Sequence, residues 1–254
     1  MTLAVSRETI ESQLSTRFGD VFKLNERRFG ETISTGIPAV DALTNGLPRG
    51  AITEIFGPAS SGRTSLMLAA LTHATTHEEA CVLVDTSNAF DPQSAAKAGM
   101  DFDQLLWVRC QGKLEHAFKA TDMILQGGGF GLIVLDLGDI PSSQARKIIS
   151  SWWYRFRRVV EDKPTAFLVI AQDSCVRSCA SLSLGVNKAE DDWSSTTAAT
   201  TRQEMIPMLA PQQRKPLHHS TAPVLLRGIK LRAERQRPIF PGAREICFKA
   251  QIAY

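Results

Sequence analysis

The stretch that decides the fold is Ala51 to His77, AITEIFGPASSGRTSLMLAALTHATTH. It opens on an apolar run, AITEIF, that reads as a buried strand. It closes on a run from Thr64 to His77 that reads as a helix. Between them stands GPASSGRT, residues 57–64, which fits the P-loop pattern GxxxxGK followed by Ser or Thr, except that Arg63 replaces the lysine. Strand, glycine-rich turn, helix is the context that pattern requires. Gly57 and Gly62 let the backbone wrap phosphate oxygens, which the loop amides and the helix N-terminus then hold. Ser60, Ser61, Gly62, Arg63, Thr64 and Ser65 complete the expected nucleotide-contacting set, and the Thr64 hydroxyl is the expected Mg²⁺ contact. Arg63 keeps the charge but exchanges a compact ammonium for a broad planar fork. Nucleotide binding is therefore expected to survive weakened, and turnover to suffer more.

Outward from this loop, apolar strands alternate with helical stretches. ACVLVD (80–85), LLWV (105–108), GLIVLD (131–136) and TAFLVIAQ (165–172) read as strands. Residues 93–98, 114–125 and 142–160 read as helices. Continuous apolar strands alternating with helices predict an α/β fold, a mostly parallel sheet with helices on both faces. Asp136 ends its apolar strand where a P-loop protein keeps the carboxylate behind the magnesium. Residues 181–221 are rich in Ser, Thr, Ala, Pro and Gln, and are read as a long polar loop. Periodicity returns at Pro223, where VLLRGIKLRAERQRP and REICFKAQIAY predict antiparallel C-terminal strands. At the other end, Ile10, Leu14, Phe18 and Phe22 recur at steps of four and predict an amphipathic helix over 7–24. A helix that short needs a partner surface. The expected layout is an N-terminal oligomerisation segment (1–30), a core (31–175), a polar loop (176–222) and completing strands (223–254).

Composition excludes several classes. The chain has 254 residues, 43% of them hydrophobic, and five scattered cysteines. That suits one cytoplasmic globular domain without a disulfide framework or a zinc site. No apolar run is long enough for a membrane span, and the N-terminus lacks the layout of a secretory signal. The net charge of +3 is uneven: from Pro211 onward nine basic residues face two acidic ones. Such polarity suggests an anionic partner, with Arg232, Arg235 and Arg237 as candidate phosphate contacts. RKIISSWWYRFRR (146–158) interleaves aromatics with cations, which suits single-stranded DNA. A helix in this fold must also bury one side, which assigns Trp153 and Phe156 to the core.

ISTGIPAVDALTNGLPRGAITEIFGPASSGRTS (33–65), CVLVDTSNAFDPQSAAKAGMDFDQLL (81–106), GLIVLD and FLVIAQ together resemble the RecA recombinase family, colinearly over residues 7–175. The resemblance implies a RecA-type P-loop core that binds ATP and Mg²⁺, an N-terminal helix that docks on a neighbouring subunit, Asp91 near the base, and Gln172 as sensor of the terminal phosphate. The departures from the family matter as much. Its water-activating glutamate is replaced, since Thr86 and Ser87 follow Asp85. Its aromatic platform for adenine is missing after Asp91 and Pro92. The first mobile DNA-binding loop is missing, and the second is expected after Gln172. The pattern is similar to the short ImuA-like branch. It implies an accessory factor in SOS and translesion repair with little hydrolysis, partnered by a translesion polymerase-like protein or a recombinase. The alternative is a working DNA-dependent ATPase that binds single-stranded DNA in homologous recombination.

Overall fold

A computed structural model describes residues 31–195, 224–238 and 243–251. The predicted N-terminal helix over 7–24 lies outside the described residues. A small ribbon of β1 (Thr32–Ile33) and β2 (Leu47–Pro48) flanks α1 (Pro38–Thr44). The main run is β3 (Ala51–Phe56), α2 (Arg63–Thr76), β4 (Cys81–Asp85), α3 (Pro92–Lys97), β5 (Leu105–Arg109), α4 (Leu114–Gly127) and β6 (Leu132–Asp136). Then come α5 (Ser142–Ala145), α6 (Ser150–Val160), β7 (Ala166–Ala171), β8 (Ala180–Ser195), β9 (Val224–Arg237) and β10 (Glu245–Gln251). The sheet has eight strands in the order β10-β9-β8-β3-β7-β6-β4-β5. From β8 to β5 the strands are parallel; β9 and β10 add antiparallel. This is the expected mixed α/β sheet with terminal antiparallel strands.

The period-two alternation of buried strands sorts the core into two layers. Ile55, Leu83, Val134, Leu168 and Ile170 face α2 and pack on Leu66, Met67, Ala70 and Leu71. Ile52, Val84, Ile133, Leu135, Phe167 and Val169 face α4 and α6 and pack on Phe118, Trp153 and Phe156. Full burial of each such side chain contributes about 1.5–3 kcal/mol. Trp153 and Phe156 are core residues, as the amphipathic argument requires.

Two expectations need correction. The helical stretch predicted over 142–160 is two helices, because Arg146–Ile149 leave the helix and Ile149 takes an extended conformation at the cap of α6. The polar loop expected over 176–222 is a strand in its first part, since Ala180–Ser195 form β8, and residues 196–222 lie outside the described residues. Its serines hid a strand buried on both faces over residues 182–186. Leu182, Leu184 and Val186 are buried, and so is Ser183, whose hydroxyl reaches Glu54 at 3.4 Å.

The second mobile loop expected after Gln172 is correspondingly short. Only residues 172–179 connect β7 to β8, although β3 lies between them. Parallel crossovers usually take a dozen or more residues, most often as a helix. Here the chain runs back across the sheet face, and its amides need acceptors there. Glu54, fully buried in mid-strand, supplies them. Its carboxylate accepts from the Cys175 amide at 2.6 Å, the Val176 amide at 2.8 Å and the Ser174 hydroxyl at 2.7 Å.

Candidate nucleotide site

The P-loop leaves the carboxyl end of β3 and is anchored by the Gly57 amide, which donates to Ala171 O at 3.2 Å. Ser60 takes φ +60 and Gly62 φ +89, which turns the chain into α2. Both glycines are also required by packing. A Cβ on Gly57 would lie 2.1 Å from Val186 O, and one on Gly62 would lie 2.1 Å from Leu231 Cδ1. The β8–β9 ribbon thus lies directly on the loop. Thr64 and Ser65 are exposed in the first turn of α2, whereas Ser61 is buried.

Arg63 turns inward. Its guanidinium donates through Nη1 to Gly57 O and through Nη2 to Gly138 O, the latter at 2.7 Å, and the side chain is buried. The fork therefore braces the start of the P-loop against the turn that follows β6. Asp136 grips the same glycine from the other side, its Oδ1 accepting from the Gly138 amide at 2.8 Å. Burial pushes the Asp136 carboxyl up to about 6; the Gly138 hydrogen bond opposes this, Asp85 and Asp139 add to it, and Arg63 offsets part.

Asp85 stands beside Asp136 in the sheet register and is fully buried. It is a loop organiser, accepting from the amides of Asn88 (2.7 Å), Ala89 (3.1 Å) and Phe90 (3.1 Å) and from Trp107 Nε1 (3.2 Å). Ser87, where the resemblance implies a glutamate, is half-buried and carries no carboxylate. Gln172 directly follows β7, the strand next to β3, and is half-buried.

The structure thus brings Gly57, Ser60, Ser61, Gly62, Arg63, Thr64, Ser65, Asp136 and Gln172 together at the carboxyl ends of β3, β6 and β7. Asp91 lies past β4, and it caps α3. Its carboxylate accepts from the Gln93 amide (3.1 Å), the Ser94 amide (3.2 Å) and the Ser94 hydroxyl (2.6 Å). The Ser94 hydroxyl and then the Gln93 amide hold it below the ordinary aspartate range. The three candidate DNA arginines lie apart from this site and are each engaged. Arg232 pairs with Glu245 at 2.9 Å, Arg235 donates to Leu43 O at 2.8 Å, and Arg237 donates to Arg177 O at 3.0 Å.

Among the described residues, three buried atoms at this edge have no hydrogen-bond partner: Ser61 Oγ, Arg63 Nε and Thr86 Oγ1. A hydroxyl, a guanidinium N–H and a second hydroxyl, beside a helix N-terminus, form a donor set that suits an anionic ligand. Sequence reasoning missed Glu54, Val186, Leu231 and Gly138. A charge inside the apolar run AITEIF was the available signal for the first; the others depend on contacts across the fold. No group of three or more His, Cys, Asp or Glu side chains among the described residues could hold a metal by itself. No helix among them is long and apolar enough to cross a membrane.

An α/β sheet of this strand order, with a P-loop on the strand at its centre and an aspartate ending the strand two places away, defines the RecA-type P-loop class. The chain belongs to the RecA family: residues 2–143 match the RecA N-terminal domain. It is 39% identical over 137 residues to Protein RecA of Clavibacter michiganensis subsp. michiganensis, an alignment covering 52% of this chain and 38% of that protein. It is 37% identical over 131 residues to Protein RecA of Acinetobacter baumannii (strain AYE), covering 49% and 37%. Over 138 residues it is 37% identical to Protein RecA of Cutibacterium acnes, covering 53% and 39%. The chain spans about two fifths of the length of these relatives.

Proposed function

We propose that this chain is a DNA-repair protein that holds ATP and Mg²⁺ but hydrolyses ATP slowly, an accessory factor in mutagenic repair of the ImuA-like kind. The observation that carries this reading is the inward Arg63 fork, bound to the Gly57 and Gly138 carbonyls. A guanidinium committed to two backbone oxygens is poorly placed to follow a phosphoryl group in flight. Ser87 supplies no general base at neutral pH without an activating partner.

The residues at the site fit a nucleotide. The amides of Gly57 to Thr64 would cradle the phosphates, Thr64 and Asp136 would hold the magnesium and its waters, and Asp91 would lie toward the base. The bound metal would neutralise phosphate charge; the chain's own part is to orient and shield the triphosphate. The remaining parts of the reading are a core over 31–175, an N-terminal helix docked on a second copy or on a polymerase-like or recombinase partner, and a cytoplasmic setting. A second reading, a DNA-stimulated ATPase active in recombination, is favoured by the retention of Thr64, Asp136 and Gln172 at one edge.

Two measurements on the full chain separate these. Adding ATP and Mg²⁺ should raise the melting temperature, because a ligand that binds only the folded state stabilises it by mass action. Phosphate release with and without single-stranded DNA should stay near background. Brisk DNA-stimulated release would favour the second reading, and the absence of any thermal shift would sink both.

A further inference from the structure

The P-loop is walled on two flanks. On one, the β8–β9 ribbon lies against it, so that Val186 O and a Leu231 methyl take up the space beside Gly57 and Gly62. On the other, the Arg63 guanidinium bridges the loop to the turn after β6. Nη1 donates to Gly57 O, Nη2 donates to Gly138 O at 2.7 Å, and the residue is 6% exposed. The Gly138 turn is itself fixed, because its amide donates to Asp136 Oδ1 at 2.8 Å. It also fits closely round the guanidinium: a Cβ on Gly138 would stand 3.2 Å from Arg63 Nε and 3.6 Å from Nη2. The fork therefore fills the gap between the start of the P-loop and the end of β6.

A P-loop normally keeps that gap for phosphate. The loop amides hold the inner phosphates, and the side chain at the position of Arg63 reaches forward to the last two phosphates of a triphosphate. The last phosphate lies on the side of the strand-ending carboxylate, with the metal between them. Here that carboxylate is Asp136, and the space before it holds a guanidinium. A triphosphate has to evict the fork. Eviction breaks two charge-assisted hydrogen bonds and takes from Gly57 O and Gly138 O the donor they now have. It also moves the cation away from Asp136, whose other charged neighbours, Asp85 and Asp139, are carboxylates. A diphosphate avoids these costs. It ends on the loop amides, and its terminal oxygens can meet Arg63 Nε and Ser61 Oγ, both buried without a partner, while the fork stays in place.

We propose that the site selects nucleoside diphosphates over triphosphates, with the Arg63 fork standing in the place of the third phosphate. The inference rests on the nucleotide reading of the P-loop and narrows it: ATP binds, and ADP binds more tightly.

The test is isothermal titration calorimetry on the full chain with Mg²⁺, using ADP, ATP, inorganic pyrophosphate and inorganic tripolyphosphate. The inorganic pair varies the phosphate count without the base, and chromatography after each ATP titration confirms that the ATP is intact. ADP should bind at least about tenfold more tightly than ATP, and pyrophosphate should exceed tripolyphosphate by a similar factor, the cost of one broken charge-assisted hydrogen bond. Arg63→Ala vacates the gap and should abolish the preference. Arg63→Lys keeps a donor for one carbonyl, covers the case in which the alanine variant fails to fold, and should bring ATP at least level with ADP. A melting curve without ligand checks the folding of each variant. ATP binding as tightly as ADP in the parent overturns the inference and leaves the nucleotide reading standing. A diphosphate preference that persists in folded Arg63→Lys overturns the role of the fork. Absence of binding by all four compounds removes the nucleotide reading, and the inference with it.

Discussion

Two buried polar networks lie along β3 and past its carboxyl end, and they are completed to different degrees. In mid-strand, Glu54 is fully buried, and both carboxylate oxygens are engaged by two amides and two hydroxyls. Beyond the carboxyl end of the strand, Ser61 Oγ, Arg63 Nε and Thr86 Oγ1 are buried without partners, and the Asp136 carboxyl is pushed up to about 6. A network that exists for the fold closes on itself, because every open donor or acceptor costs about 1–3 kcal/mol. A network left open at a helix N-terminus keeps that cost as a standing preference for a ligand. The Glu54 network therefore serves the fold, and the open P-loop network supports the nucleotide site proposed above.

The largest effect should come from opening the closed network. Glu54→Leu strands the Cys175 and Val176 amides against apolar surroundings and should cost about 3–5 kcal/mol in urea unfolding. Glu54→Gln keeps an acceptor for those amides and should lose only about 1–2 kcal/mol. If Glu54→Leu unfolds like the parent, the crossover does not depend on this side chain. Gly62→Ala should follow, at about 2–4 kcal/mol, because Leu231 occupies the space of the new Cβ and φ +89 is strained for alanine. Combining it with Leu231→Ala should recover the steric part and leave the backbone strain, a coupling that a double-mutant cycle reads directly.

These two positions also mark where sequence reading stops. The P-loop, the alternating strands and the aspartate behind them were legible because each is a local pattern, a fixed spacing or a run of apolar residues. Glu54 broke such a pattern, but its meaning depends on a crossover from Gln172 to Cys179, more than a hundred residues away. The strand Ala180–Ser195 was unreadable for a related reason: serines can be buried where a neighbouring strand supplies a partner, as Glu54 does for Ser183. The inward turn of Arg63 was equally hidden. The sequence suggests a change of shape at the lysine position, but the two carbonyls that capture the fork belong to Gly57 and Gly138, 6 and 75 residues away.

The open network can be tested through its proton balance. A carboxyl with a folded value of about 6, above its unfolded value near 3.8, binds protons more tightly in the folded state. Stability should therefore fall as pH rises through that window and level off above it. Asp136→Asn removes the titration while leaving an oxygen to accept from the Gly138 amide. Without nucleotide the variant should be more stable than the parent at neutral pH, by about 1–3 kcal/mol, and equal to it below pH 4. With ATP and Mg²⁺ the order should reverse, because the lost charge is the one the metal would use. A parent whose stability is flat from pH 4 to 6 would remove the basis for treating Asp136 as frustrated.

The smallest change in stability, and the sharpest test of the comparison, should come from Arg63→Lys. The ammonium can satisfy one of the two carbonyls now held by the fork, so the brace between Gly57 and Gly138 is halved, at a cost of about 1 kcal/mol. The freed group is compact enough to swing toward the phosphates. Thermal stability without ligand should therefore drop slightly while the shift on adding ATP and Mg²⁺ grows, the two moving in opposite directions. Phosphate release should remain low, because Ser87 still offers no general base. If the lysine variant is less stable and gains no extra stabilisation from nucleotide, Arg63 belongs with Glu54 among the groups that serve the fold, and the open network begins at Ser61.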